Sequence, residues 1–138
     1  MDRNIIFFDV ETNGKIGSSV LSISAIKVNY NFEKNEWTKV SEYNRFYFRN
    51  EGEPIDFGAV NVHGLTDEVI SSKRQRINYP LTFKEDIDSF FLYCQDTNHF
   101  VAHNIKFDRS FIPFPLKNQF DTMMENIDIV KAGINPNY

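Results

Sequence analysis

The chain has 138 residues, of which 41% are hydrophobic and 25% are charged, and its net charge is −4. This length and composition support one globular domain, residues 1–138, and exclude a second domain of ordinary size. The negative charge argues against a protein that holds nucleic acid by neutralising many phosphates, although it does not exclude one that holds a strand end through metal ions.

The rest of the composition indicates where such a protein resides. One cysteine, Cys94, excludes an internal disulfide and favours a cytoplasmic setting. No stretch approaches the ~18 apolar residues of a membrane span, and the N-terminus leads directly into a predicted strand and not into a signal peptide. We therefore expect a cytoplasmic protein without a membrane segment. The 14 Phe and 6 Tyr predict an aromatic core.

The first predicted strand ends in two acidic residues. Ile5–Phe8 has the composition of a strand buried on both faces, and Thr12–Gly14 that of the turn that ends it. Side chains alternate along a strand, so Asp9 and Glu11 project from the same face, roughly 6.6 Å apart. Taken alone, the pair is most simply a surface Asp and Glu in a loop. At a strand's carboxyl end, where α/β sheets bind ligands, the pair can also share cations.

Two further strands follow. The second is predicted over Val20–Tyr30, and residues 31–35 form the loop of a long hairpin. In the third, Phe46 and Phe48 alternate with Arg45, Tyr47 and Arg49, which predicts a half-buried antiparallel strand whose Arg and Tyr side chains face solvent. The basic run at residues 73–76 is more simply a solvated loop than a phosphate contact.

Helical patterns complete the predicted order of elements. Thr82 and Glu85 form a capping box for a helix with an apolar stripe of Phe83, Ile87, Phe90, Phe91 and Cys94. Because crossovers are right-handed, this helix should lead to a fourth strand parallel to the first or to an adjacent parallel strand. A last helix should begin near Asp121, with Thr122 and Glu125 as its capping box, and stop at Gly133.

The fourth strand brings a third acid into the argument. Phe100–Ala102 runs into Asn104, a good N-cap, and then into a helix whose Phe107 and Phe111 share a face. Asp108 lies one turn into that helix and, if the strands are parallel neighbours, joins Asp9 and Glu11. Three carboxylates this close stay ionised only around cations. Taken alone, the segment is an ordinary capped helix with a solvated Asp108.

Three segments, in this order, resemble the DEDDh (DnaQ-like) 3′–5′ exonucleases. Phe8–Thr12 with Gly14 is similar to the first motif of that family, and Ala102–Asp108 to the second. Between them, Ala59–Asp67 is similar to the segment that forms a wall for the 3′-terminal nucleotide. Its residues 63–66 are also a helix stop followed by a Thr cap, and both interpretations can hold. The resemblance implies an α/β, ribonuclease H-like mixed sheet, three antiparallel strands and then a parallel strand, with flanking helices.

The resemblance also implies a function. It is the removal of nucleotides from the 3′ end of single-stranded nucleic acid, more often DNA, by two Mg²⁺ or Mn²⁺ ions. Asp9 would bridge both ions, Glu11 would bind one and Asp108 the other. Thr12 would position the terminal nucleotide. His63, Leu65 and Asn104 would line the pocket that holds it. A DNA polymerase subunit is the partner that this family suggests.

The third motif of the family, a His four or five residues before a final Asp, has no counterpart after Phe120. We therefore expect the C-terminal part of the domain to be missing, the general base to be unnamed and cleavage to be slow. A non-catalytic nucleic-acid-binding or scaffolding module is the competing interpretation. A carboxylate-metal phosphatase would explain the acids but not the segment at residues 63–66.

Overall fold

The computed structural model describes residues 2–74 and 78–122. Five strands in these residues form one mixed sheet in the order β3-β2-β1-β4-β5. Their bounds are β1 Asp2–Thr12, β2 Val20–Asn31, β3 Glu36–Phe46, β4 His99–Ala102 and β5 Gln119–Asp121. β1, β2 and β3 pair antiparallel, whereas β4 and β5 run parallel to β1. The predicted order of three antiparallel strands and a parallel one is confirmed, and β5 is an addition.

Within the described residues, four helices and a 3₁₀ turn accompany the sheet. The helices are α1 Phe57–His63, α2 Asp67–Lys73, α3 Ile87–Cys94 and α4 Ile105–Arg109, and the turn is Phe83–Glu85. None of these helices is long and apolar enough to cross a membrane. The predicted order of elements lacked α1 and α2.

The junction between α1 and α2 follows the local signals in the sequence. Gly64 ends α1 in the left-handed conformation at φ 70°, and its N–H donates to the Val60 carbonyl. Thr66 then begins α2, and its hydroxyl accepts a hydrogen bond from the Val69 N–H at 3.2 Å. The predicted helix stop and Thr cap are therefore confirmed.

The main core lies on one face of the sheet. Ile6, Phe8 and Val10 of β1 point toward it, and α3 and α4 cover it with Phe90 and Ile105 among others. The prediction that the start of β1 is buried on both faces is wrong, because Phe7, on the opposite face, is 41% exposed. α3 and α4, which lie in the connections that lead to β4 and β5, both pack on this face.

The prediction that the Tyr side chain of the third strand faces solvent is also wrong. β3 ends at Phe46, and Tyr47 just beyond it is fully buried. Its hydroxyl donates to the buried Asp86 carboxylate at 2.8 Å, so a tyrosine can face the core here without losing a hydrogen bond. Phe46 and Phe48 pack against a second, smaller cluster around Leu21, Leu65 and Ile70.

Two other local predictions need correction. Thr82 donates to the Glu85 carboxylate at 2.8 Å but does not cap a backbone N–H, so the chain forms the 3₁₀ turn and α3 begins only at Ile87. Phe91 of α3 is exposed and lies off the predicted stripe.

In the basic run at residues 73–76, Arg74 donates to the Phe46 and Tyr79 carbonyls. Residues 75–77 and the last predicted helix beyond Thr122 lie outside the described residues.

Candidate functional site

The acidic residues meet where parallel strands end. β1 and β4 are hydrogen-bonded neighbours, with Phe7 opposite Val101. Asp9 and Glu11 follow two and four residues later on β1, and Asp108 lies in α4, directly after β4. Because both strands point the same way, their carboxyl ends open at one edge of the sheet. The fold thus brings the three predicted acids to a single edge.

Electrostatics show that these carboxyl groups interact. Asp108 is only 6% exposed, and this burial, together with the charges of Asp9, Glu11 and Asp121, raises its pKa from 3.8 to about 7. A hydrogen bond from the Val10 backbone acts in the opposite direction. Burial also raises the pKa of Glu11, and the charge of Asp9 and a hydrogen bond between the two side chains add to this effect.

The donors at this edge suit a hard cation. Within residues 2–74 and 78–122, no three carboxylate, imidazole or thiol groups stand close enough to enclose a metal ion as they are placed. Carboxylate oxygens are nevertheless the ligands that Mg²⁺ and Mn²⁺ prefer. Burial first, and then repulsion between the acids, raise the pKa of Glu11 and Asp108, and the charge of a bound cation would oppose both effects. The acids therefore fit a divalent cation by donor type and charge.

The turn after β1 is held by a hydrogen-bond network. Thr12 is buried, and its hydroxyl accepts from the Gly14 N–H at 3.2 Å. The Asn13 amide donates to Glu53 at 2.7 Å and to the Pro54 carbonyl at 2.8 Å, and its oxygen accepts from the Asp56 N–H at 2.9 Å. The Thr12 hydroxyl, predicted to position a nucleotide, is thus already engaged within the turn.

Gly14 is required at this turn for two reasons. Its φ of 117° lies in the region that side chains disfavour, and a Cβ there would stand 2.6 Å from Oδ2 of Asp56. The Asp56 side chain also caps α1 through the Ala59 N–H at 2.9 Å. The glycine of the first motif therefore allows α1 to approach the end of β1.

Both ring nitrogens of His63 are occupied. The Leu65 N–H donates to Nδ1 at 3.0 Å, so Nδ1 is an acceptor, and Nε2 lies 2.8 Å from the Thr12 carbonyl oxygen, to which it must donate. These two bonds define a neutral tautomer with its proton on Nε2. His63 therefore ties the junction of α1 and α2 to the end of β1, and its ring has no free lone pair.

The other two predicted pocket residues are placed differently. Leu65 is nearly buried and lines a cavity of about 70 Å³ with Asn13, Leu21 and Ile70. That volume has room for a few water molecules. Asn104 is exposed at the start of α4 and makes no side-chain cap.

Asp121 is a residue that sequence reasoning missed as part of the site. It ends β5, and its carboxylate accepts a hydrogen bond at 3.2 Å from the Ile105 N–H, the first N–H of α4. Its charge also contributes to the raised pKa of Asp108. Only a strand prediction for Gln119–Asp121 could have revealed it, and three residues with one apolar side chain carry too little pattern for that.

Solved structures of exonucleases have an architecture similar to that of this chain. Exonuclease X in complex with 5′ overhanging duplex DNA aligns over 91% of this chain with a TM-score of 0.62 and 20% identity. Exonuclease I of E. coli in complex with a dT13 oligonucleotide aligns over 96% with a TM-score of 0.68 and 14% identity. The chain has an exonuclease fold. A complex of exonuclease I with the SSB C-terminus aligns over all of it, with a TM-score of 0.70 and 14% identity.

The exonuclease fold is ribonuclease H-like, as the sequence predicted. The chain spans 63% of the length of exonuclease X and 31% of that of exonuclease I in the oligonucleotide complex. No protein-family model matches the sequence, and no curated protein matches it either. At these identities the likeness establishes the fold alone.

Proposed function

We propose that this chain is a metal-dependent 3′–5′ exonuclease domain that removes nucleotides from the end of single-stranded nucleic acid, and of DNA in particular. The observation that carries the proposal is the buried Asp108 carboxyl beside Asp9 and Glu11, with a pKa of about 7. Acidic groups with a strongly shifted pKa cluster at functional sites. The fold shared with exonucleases X and I supports the same conclusion.

In this proposal Asp9, Glu11 and Asp108 would hold two Mg²⁺ or Mn²⁺ ions. Such ions would activate water for attack and neutralise charge on the phosphate. The chain's own residues position the strand end. His63 fixes the end of β1 through the Thr12 carbonyl, and Asp121 holds the start of α4 and thereby the helix that carries Asp108. We propose that Thr12, His63, Leu65 and Asn104 border the terminal nucleotide.

No hydrogen bond joins a histidine to Asp9, Glu11 or Asp108 within the described residues. Both nitrogens of His63 are engaged, Nδ1 of His103 shares a hydrogen bond with the Thr122 hydroxyl at 3.1 Å, and His99 pairs with Ile5 at the opposite end of the parallel strands. A positioned general base is worth typically 10²–10⁴-fold in rate. We therefore expect the 138-residue chain to cleave slowly.

The placement of the histidines favours a second candidate. A nuclease fold in which no histidine is hydrogen-bonded to the acids can serve as a nucleic-acid-binding or scaffolding module. For both the exonuclease and the binding module, a polymerase subunit as partner remains a prediction. The exonuclease shortens a bound strand, whereas the binding module does not.

The test uses a 5′-labelled single-stranded DNA with millimolar Mn²⁺. The parent chain should shorten the strand stepwise from its 3′ end over hours, and Asp9→Asn should not. Asp88→Asn, which removes an exposed carboxylate on α3, is the matched control and should keep the parental rate. Internal cuts would refute the exonuclease assignment. Binding of the strand by the parent without any shortening would favour the second candidate.

A further inference from the structure

One carboxylate closes the loop that follows β1. Oε2 of Glu53 accepts hydrogen bonds from the Asn13 side-chain amide at 2.7 Å and from the Ser19 backbone N–H at 3.0 Å. Asn13 and Ser19 are the first and last residues of the loop between β1 and β2, and the Asn13 N–H also donates to the Ser19 carbonyl at 2.9 Å. Both residues are buried, so their donors depend on partners within the protein.

Glu53 is itself held in place. Its carbonyl accepts a hydrogen bond from Arg49 at 2.6 Å, and the same guanidinium donates to Asp67, at the start of α2, at 3.0 Å. Burial raises the pKa of the Glu53 carboxyl group, but the hydrogen bonds from Asn13 and Ser19 and the charge of Arg49 outweigh that effect, and the pKa lies below its ordinary value. Glu53 is therefore an ionised acceptor in a fixed position.

We propose that Glu53 is a positioning residue for the acidic edge, the edge of the sheet where the three predicted acids meet. Glu11 lies two residues before Asn13, near the end of β1. The pairing of β1 with β2 shifts register between Glu11 and Thr12, so the regular ladder of hydrogen bonds is interrupted just before the loop. Contacts outside the ladder must then hold the end of β1, and Glu53 provides two of them through the loop.

This role rests on the proposed function, because Glu53 can position cation-binding carboxylates only if the acids bind a cation. Residues that orient metal ligands without binding the metal typically change metal affinity 10–100-fold when they are lost. Glu53 acts on the loop next to Glu11 and not on a ligand atom. We therefore expect the lower end of that range.

Mn²⁺ binding to the 138-residue chain, measured by electron paramagnetic resonance of the free ion, tests this role. Glu53→Ala should weaken binding about tenfold. Glu51→Ala, which removes an exposed carboxylate from the same segment, is the matched control and should bind as the parent does. Glu53→Gln loses the charge but keeps an oxygen that can accept both hydrogen bonds, so it should recover most of the affinity. Below the melting temperature, a loss of stability alone leaves the dissociation constant unchanged.

Glu53→Asp covers the case in which Glu53→Ala does not fold. It keeps the charge but is one methylene shorter and cannot reach both donors, so it should weaken binding as well. Parental affinity in either variant would overturn the role of Glu53. A Glu53→Gln variant as weak as Glu53→Ala would also overturn it, because the charge and not the position would then matter. A parent chain that binds no Mn²⁺ at millimolar concentration would contradict the metal site of the proposed function, and the role of Glu53 with it.

Discussion

At the scale of single residues, Asp108 is the position where folding disfavours the charged form of a side chain. A buried carboxyl beside two other acids and Asp121 keeps its proton to a pKa of about 7, whereas the same group in the unfolded chain ionises near 3.9. The folded chain therefore binds more protons than the unfolded chain between these pH values. Without a cation, stability must fall as the pH rises through this interval and level off above pH 7.

We expect Asp108→Asn to remove this pH dependence. The amide has nearly the shape of the carboxyl but carries no charge at any pH, so the variant should gain of the order of 1–3 kcal/mol over the parent at pH 8 in a chelator. Urea unfolding from pH 4 to pH 8 measures the difference. Glu51→Gln, at an exposed carboxylate, should follow the parental profile. Equal slopes for Asp108→Asn and the parent would contradict the raised pKa.

At the scale of elements, predictions succeeded where the signal was local. Gly64 and Thr66 end one helix and begin the next because a positive φ and a hydroxyl cap are needed there, whatever surrounds them. Asn104 makes no side-chain cap, and the Ile105 N–H at the start of α4 instead donates to Asp121, 17 residues later. That contact exists only once β5 pairs with β4.

The same distinction applies to the site. Asp9, Glu11 and Asp108 were predicted together from strand direction alone. The engagement of His63 with the Thr12 carbonyl depends on how α1 approaches β1, and no sequence period encodes that approach. Tyr47 was assigned to solvent for a similar reason, because its partner Asp86 lies 39 residues away.

Thr66→Ala should destabilise the chain by about 1 kcal/mol, the usual cost of losing an N-cap. The hydroxyl accepts from the Val69 N–H, and alanine leaves that donor without its partner. Thr66→Ser keeps the oxygen and should recover most of the loss. Chemical denaturation of the three proteins provides the comparison. A Thr66→Ser variant as unstable as Thr66→Ala would show that the threonine methyl group, and not the cap, is what matters.

At the scale of the whole molecule, stability and the acidic edge are linked. Asp9 and Glu11 lie at the end of β1 and Asp108 lies in α4, and both elements contribute to the main core, so a cation that binds only the folded chain stabilises all of it. The contribution grows with the logarithm of cation concentration above its dissociation constant.

Millimolar Mn²⁺ at pH 7.5 should raise the melting temperature of the parent by a few degrees, since a cation at about ten times its Kd contributes ~1.4 kcal/mol. Asp9→Asn should lose this response because it removes a charge that faces both Glu11 and Asp108. Differential scanning calorimetry with and without Mn²⁺ gives the shift. A parent that does not respond, or an Asp9→Asn variant that responds equally, would exclude a cation site at these acids.

The edge strand β3 affects whether two copies of this molecule can associate through their sheets. β3 is an 11-residue edge strand, a length that invites pairing with a second chain. Its pairing to β2 shifts between Lys27 and Val28, which leaves Val40 as an extra residue, and charged Lys39 and Glu42 flank it. A bulge and charges on an edge interrupt the regular ladder that another strand would need. This local irregularity therefore protects the molecule from edge-to-edge aggregation.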